Sequence, residues 1–168
     1  ECRGVFGTGC RGGNVSPCQR RVVHSFASIK DGSSNTMLLA EAKIGVRGSL
    51  KVGEAFGRGA GASNGSPPSL CLALIDPAKP DSFLGNVETG SWQVGWRWAD
   101  SRTPYTMFHA MLPPNGPSCG NDGEHWAIVT AGSYHPGGCN VAMVDGSVHF
   151  TSETIDAGNP TMTVQQMP

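Results

Sequence analysis

The clearest pattern of hydrophobic and polar positions lies in the last third of the chain. Trp126–Ala131 is a short apolar run that reads as a strand. Asn140–Val144 and Ser147–Thr151 are two β-branched runs separated only by Asp145-Gly146. Asp-Gly between such runs favours a two-residue hairpin turn, in which both turn residues take positive φ. The pattern therefore predicts a β-hairpin near the C-terminus.

Two further segments have the character of strands. Thr36–Ala42 is short and apolar and follows the strong turn signal of residues 30–35, which predicts a buried strand. Trp92–Trp98 alternates with period two, so that Trp92, Val94, Trp96 and Trp98 share one face of a predicted strand. That tryptophan face is either one wall of the core, which we favour because buried aromatics dominate core energetics, or an exposed interaction surface.

The rest of the chain has the character of loops. Residues 53–69 and 76–91 and the stretch 101–125 show no regular periodicity, and the chain contains 24 Gly and 12 Pro. The predicted fold class is β-rich α+β: an antiparallel sheet with long, ordered Gly/Pro-rich loops and the C-terminal hairpin. Residues 1–156 are expected to form a single domain that begins with a Cys/Gly-rich stapled loop over 1–22. Residues 157–168 are expected to be a loose tail.

Charge excludes two classes of partner. Only 15% of residues are charged and the formal net charge is −1, so the chain has no basic stripe to neutralise phosphates. It also lacks the polybasic signal for anionic membranes. No apolar run approaches the roughly 18 residues of a membrane span, and no signal peptide is recognisable. We therefore expect an exported chain that has lost its targeting segment, or a fragment of a longer protein.

Six cysteines indicate export to an oxidising compartment. No CxxC or CxH pair occurs, so the ligand spacing of structural zinc sites is absent. An even number of widely spaced cysteines favours two or three disulfides and an extracellular or cell-surface location, with the pairing left open. Cys71, in the apolar run Leu70–Ile75, is the best candidate for a small core residue instead. The six disulfide candidates are Cys2, Cys10, Cys18, Cys71, Cys119 and Cys139.

Several motifs in sequence resemble a known family. His135 followed by nine residues and Asp145-Gly146 is similar to the H-x9-DG signature of a bacterial prepilin-type, processing-associated family of unknown function. Five further segments resemble other blocks of that family and follow one another in the family's order. They are Ile29–Thr36 with Glu41, Trp98–Asp100, Leu112–Cys119, Ser133–Gly138 and Thr154–Asp156.

The resemblance implies a pilin- or pseudopilin-like head and a role in protein assembly. Members usually carry a long hydrophobic N-terminal helix and a first half of the head, and Glu1 falls where the second half would start. The implied partners are copies of the chain, other pilin-like subunits, and that missing helix and half-domain. An apolar face that the helix would cover is then expected to be exposed.

His135 and Asp145 have two interpretations. In the structural one, which we favour, His135 binds a loop carbonyl and Asp145 belongs to the tight turn. In the other, His135, Asp145 and Asp100 contribute to a metal site: a structural calcium by analogy with pseudopilins, or zinc or copper because of the histidine. The prediction for cofactors is accordingly none, or a structural calcium.

Catalytic signatures are weak. The chain has no GxSxG elbow, no HExxH and no phosphate loop. A set of Ser133, His135 and Asp100 can be chosen, but a triad is recognised by geometry and any serine-rich chain offers such sets. Glu41 lies in a matched block, yet a glutamate at a strand end is as easily a salt-bridge partner. We expect no catalytic residues and no enzyme activity.

Three hypotheses of function follow. The first is a non-enzymatic head domain of a pilin- or pseudopilin-like filament or surface protein. The second is a secreted module that binds polysaccharide through Trp92, Trp96 and Trp98. The third, least favoured, is an uncharacterised metal-dependent enzyme. Fold analogy alone cannot decide among them.

Overall fold

The computed structural model describes residues 25–59, 66–100, 102–122 and 126–163. The predicted stapled loop over 1–22, with Cys2, Cys10 and Cys18, lies outside the described residues, as do 60–65 of the predicted loop and the last five residues of the predicted tail. No helix within the described ranges is long and apolar enough to cross a membrane.

Short strands outnumber helices, which confirms the β-rich class. A 3-10 turn at Phe26–Ser28 precedes the first strand. The helices are α1 (Ser69–Leu72) and α2 (Thr103–Thr106). The strands are β1 (Met37–Ala40), β2 (Phe56–Arg58), β3 (Ile75–Asp76), β4 (Lys79–Phe83), β5 (Ser118–Gly120), β6 (Ala127–Ile128), β7 (Gly138–Met143) and β8 (Val148–Ser152).

The chain divides into two compact units. One is Glu1–Leu39 with Val141–His149, and the other is Ala40–Asn140 with Phe150–Pro168. Strands β1, β7 and β8 form a three-stranded sheet in the order β1-β7-β8, and each strand continues from one unit into the other along the chain. Residues 25–39 and Val141–His149 are the described part of the first unit.

The C-terminal hairpin is confirmed, but its turn differs from the prediction. Met143 N donates to Ser147 O at 2.8 Å, and Gly146 N donates to Met143 O at 3.0 Å. Gly146 has φ +84, whereas among described non-glycine residues only Asn86 and Asn115 have positive φ. Asp145 therefore keeps negative φ, and the connection is a three-residue loop closed by a glycine bulge, the next most common hairpin type.

The second sheet, β2-β5-β6, lies in the larger unit and corrects the expectation of a purely antiparallel architecture. β2 pairs with β5 in parallel, with Phe56 opposite Ser118, while β5 and β6 are antiparallel. The prediction of a loop over 53–69 is wrong at β2, where Phe56 is fully buried. Phe56 is buried together with Val94, Ala127 and Val129, and this burial decides the pairing of β2 with β5. The sequence around Phe56 alone does not indicate these contacts, because the three partners are distant along the chain.

A disulfide links α1 to this sheet. Cys71 of α1 is bonded to Cys119 of β5, and both are fully buried beside Met111, Leu112 and Ile128. The expectation of disulfide bonding is thus met for this pair, whereas the suggestion that Cys71 is an unbonded core residue is wrong. Cys139 is buried and free.

The predicted strand over Trp92–Trp98 is wrong, because these residues form a loop with turns. Gly95 has φ +75, which breaks the extended backbone, and Trp96 N donates to Gln93 O in a turn. Gln93 and Val94 are the buried residues, while Trp96 is 39% and Trp98 87% exposed. The period of two therefore does not reflect a strand, and these two tryptophans are not a wall of the core.

Other elements differ in extent. The predicted strand over Thr36–Ala42 is confirmed as β1, but its expected burial is wrong, because no residue of Met37–Ala40 is fully buried and Leu39 is exposed. The predicted strand Trp126–Ala131 is shorter in the structure, where only the two buried residues of β6 are in a strand. At the start of the predicted loose tail, Pro160 O accepts a hydrogen bond from Ser69 N at 2.8 Å.

Candidate functional site

An open groove of about 460 Å³ in the larger unit is lined by residues of two distant stretches of sequence. Glu41 and Ala42 follow the end of β1, and residues 132–135 lead into β7. Gly132 N donates to Glu41 O at 2.9 Å, which holds the two walls together. Glu41 and His135, both from blocks of the family pattern, therefore face the same space.

Glu41 fastens the end of β1 to β7 through Asn140. Its Oε2 accepts a hydrogen bond from Asn140 N at 2.7 Å, and its Oε1 accepts one from Asn140 Nδ2 at 3.2 Å. Glu41 N in turn donates to Asn140 O at 3.1 Å. These hydrogen bonds, led by the one from the Asn140 backbone, lower the pKa of Glu41. The carboxylate is therefore ionised at neutral pH.

His135 faces this carboxylate across the groove. Its Nε2 lies 3.5 Å from Glu41 Oε1, and the two side chains are 59% and 37% exposed. The contact of the imidazole is thus a carboxylate, whereas the favoured structural interpretation expected a loop carbonyl. Both side chains are therefore partly exposed to solvent in the groove.

Ser133 and Asn115 tie a third stretch of sequence to the groove. The Ser133 hydroxyl donates to Gly138 O at 2.7 Å and accepts from His135 N at 3.0 Å. Asn115 Oδ1 accepts from Ser133 N at 3.0 Å, and Asn115 N donates to Ala131 O at 2.8 Å. Asn115 has φ 65, a left-handed conformation that asparagine tolerates better than most residues. The motif residues therefore form one hydrogen-bonded network.

This network does not have the geometry of a catalytic triad. A serine nucleophile needs its hydroxyl hydrogen-bonded to an imidazole, but the buried Ser133 hydroxyl donates to a backbone carbonyl. Asp100 is occupied elsewhere: its Oδ1 accepts from Arg102 N at 3.1 Å, and its oxygens lie 3.8 Å from Arg97 Nη1 and 3.7 Å from Arg102 Nε.

The three predicted metal ligands have separate sets of partners. Asp145 Oδ1 accepts from Ser147 N at 2.9 Å and from the Ser147 hydroxyl at 2.7 Å, bonds that lower the pKa of Asp145. Asp100 pairs with arginines and His135 with Glu41. Within the described ranges, no three His, Cys, Asp or Glu side chains come together as metal ligands.

The predicted tryptophan surface consists of three differently placed rings. Arg58 lies 5.7 Å from the centre of the Trp92 ring, and Arg47 lies 5.4 Å from that of Trp96. Trp96 Nε1 also donates to Gly45 O at 2.7 Å. Trp98 is the most exposed of the three at 87%.

Sequence reasoning missed Asn140 and the partnership of Glu41 with His135. Asn115 lay inside a matched block, but no individual role was assigned to it. The available signal was the shared family pattern, since Glu41, Asn115, Ser133 and His135 come from three different blocks. What sequence could not report is that these blocks meet in space.

Fold and site together define a β-rich, disulfide-bonded chain in which Glu41, Ser133 and His135, three residues of the motif blocks, line one open groove. A family model described as "Protein of unknown function (DUF1559)" matches residues 3–158, and the chain belongs to this family. No curated protein and no solved structure matches the chain.

Proposed function

We propose that the chain is a non-enzymatic assembly subunit, the head domain of a pilin- or pseudopilin-like extracellular filament or surface protein. The observation that carries the proposal is that polar side chains of the motif blocks are hydrogen-bonded to the backbone of other residues. The side chains of Glu41, Asn115 and Ser133 bind backbone atoms of Asn140, Ser133 and Gly138, in that order. The first two contacts join segments that are distant in sequence. Side chains committed to such scaffold contacts suit a domain that works by presenting surfaces.

The disulfide supports the exported part of the proposal. Cys71 and Cys119 are bonded between α1 and β5, and such bonds persist in oxidising compartments outside the cytoplasm. The prepilin-type resemblance of the motif blocks adds the kind of assembly, with copies of the chain or other pilin-like subunits as partners.

An apolar surface around Ile44 is the contact surface we propose for assembly. Ile44 is 62% exposed and Val46 45%. Trp96 is adjacent, since its indole nitrogen binds Gly45 O and the backbone at Gly95 packs against Ile44. Contiguous exposed apolar side chains are typical of protein interaction sites, and Arg47 beside Trp96 resembles the aromatic and arginine anchors of interface centres.

Sedimentation velocity over a range of concentrations and electron microscopy test this proposal. The purified chain, with its disulfide intact, should associate with itself or with co-expressed pilin-like subunits. Ile44→Asp should abolish association, and Leu84→Asp is the matched control, because Leu84 is a similarly exposed aliphatic residue at 65%. A chain that stays monomeric with both kinds of partner, or equal effects of the two variants, would contradict the proposal.

Polysaccharide binding is a second candidate, favoured by one observation. The Trp98 ring is 87% exposed, whereas Trp92 and Trp96 have arginines over their rings. An open indole is a suitable platform for a sugar ring. Sedimentation of the chain with insoluble polysaccharides should be lost in Trp98→Ala and retained in Trp92→Ala. Equal retention in both variants would remove this candidate.

A further inference from the structure

Among the described strands, none pairs with the outer side of β8. The sheet order is β1-β7-β8, so β8 lies at an edge. Ser147 O accepts a hydrogen bond from Met143 N at 2.8 Å, and Glu153 N donates to Gly137 O at 2.8 Å. The odd-numbered residues of this segment therefore face β7. Because successive residues of a strand direct their N–H and C=O groups to opposite sides, those of the even-numbered residues point away from the sheet.

The residues of β8 leave this edge open. Val148 is 65% and Phe150 54% exposed, and the strand contains no acidic residue, lysine, arginine or proline. Natural proteins usually protect an edge strand with lysine, proline or a bulge, because its unpaired N–H and C=O groups accept another strand. Strand β4 has such protection, since it begins with Lys79–Asp81, which includes a proline. At the opposite edge of the sheet, β1 has Leu39 as its one exposed residue.

We propose that β8 pairs with β8 of a second copy of the chain, antiparallel and centred on Phe150. In this register Phe150 lies opposite its own counterpart and Val148 lies opposite Ser152, so that the outward N–H and C=O groups of both strands meet as hydrogen-bonded pairs. A second copy fits because the strand is uncharged, and self-pairing therefore places no like charges opposite each other. The first carboxylate beyond the strand, that of Glu153, would lie opposite Ser147.

This pairing deepens the proposed assembly role and rests on it for stability. A strand of 5 residues from each copy buries much less than the roughly 1,000 Å² of a stable interface. Ser152 O is also partly engaged, since it accepts a hydrogen bond from Ile155 N at 3.1 Å. The edge alone therefore gives short-lived pairs, and the Ile44 surface supplies the contact that holds the copies together.

Disulfide trapping tests the register on the full, disulfide-bonded chain. In a hydrogen-bonded antiparallel pair the two Cα atoms are about 5.5 Å apart, within the range of about 4.4–6.8 Å that a disulfide spans. Phe150→Cys should therefore give a cross-linked dimer when the concentrated protein is oxidised with diamide. Val148→Cys is the matched control, because position 148 is similarly exposed. Its two copies would lie about 14 Å apart along the strands in this register, too far for a disulfide.

We expect at least about tenfold more dimer from Phe150→Cys than from Val148→Cys, with peptide mapping placing the link between the two introduced thiols. Equal yields from the two variants, as parallel or unspecific pairing gives, would overturn the proposed register. Absence of a dimer from Phe150→Cys would overturn the second copy as the occupant of the edge. The same trapping in an Ile44→Asp background should still give the dimer, because the disulfide captures brief encounters. Failure of the proposed assembly contact and failure of the edge pairing are therefore separate results.

Discussion

Removing the Cys71–Cys119 disulfide should lower the free energy of unfolding by about 4 kcal/mol. The two cysteines are 48 residues apart in sequence, and a cross-link of that span removes this much loop-closure free energy from the unfolded chain at 25 °C. The variant is Cys71→Ala with Cys119→Ala. Alanine is suitable because both positions are fully buried in an apolar cluster, where a polar replacement would add its own desolvation cost.

The assay is urea unfolding of the oxidised protein, followed by tryptophan fluorescence. Cys139→Ala is the matched control, since Cys139 is equally buried but free. It removes one thiol without opening a loop, so its loss of stability should be distinctly smaller. Peptide mapping without reductant should recover Cys71 joined to Cys119.

A double variant that unfolds within about 1 kcal/mol of the Cys139 control would contradict this prediction, since native disulfides typically contribute about 2–5 kcal/mol. Alkylation of Cys71 in the unreduced, denatured protein would refute it more directly. Either result would also remove the structural support for an oxidising compartment.

Three further predictions concern the larger unit. Phe56→Ala should cost about 3–5 kcal/mol in urea unfolding, because the ring is fully buried, whereas exposed Leu84→Ala should change stability by less than about 0.5 kcal/mol. Gly138→Ala should cost about 1–3 kcal/mol or more, because the new Cβ would overlap the Thr151 carbonyl; an unchanged urea midpoint would contradict the close approach. Burial lowers the pKa of His109, so its stabilising contribution is present above the ordinary histidine value of about 6.5 and is lost as pH falls below it. The melting temperature measured from pH 8 to 5 should fall less steeply in His109→Gln than in wild type.

Local sequence signals predicted the elements in which neighbours along the chain decide the structure. The hairpin of β7 and β8 followed from two β-branched runs around Asp145-Gly146, and Gly146 supplies the positive φ that the turn requires. The predicted type of turn was wrong because Asp145 keeps negative φ. An Asp-Gly dipeptide is compatible both with a two-residue turn and with a three-residue loop that ends in a glycine bulge, so it does not distinguish the two.

The strand predicted over Trp92–Trp98 was wrong because the period of two in the sequence was interpreted as an extended backbone. Gly95 adopts positive φ within that run, and the buried residues are Gln93 and Val94. Gly45 N donates to Val94 O, so a distant loop determines the course of this one. Side chains that alternate in sequence alternate in space only when the backbone stays extended.

By itself, the sequence determined a β-rich, disulfide-bearing domain, the C-terminal hairpin and the motif blocks, because composition and turn chemistry act over a few residues. Only the tertiary structure decided that β2 runs parallel to β5, and that Glu41, Asn115 and His135 belong to one network. Glu41 lies 99 residues from Asn140, which holds its carboxylate. Such contacts form when burial and hydrogen bonding over the whole chain outweigh the entropy of closing long loops, and no window of sequence contains both partners.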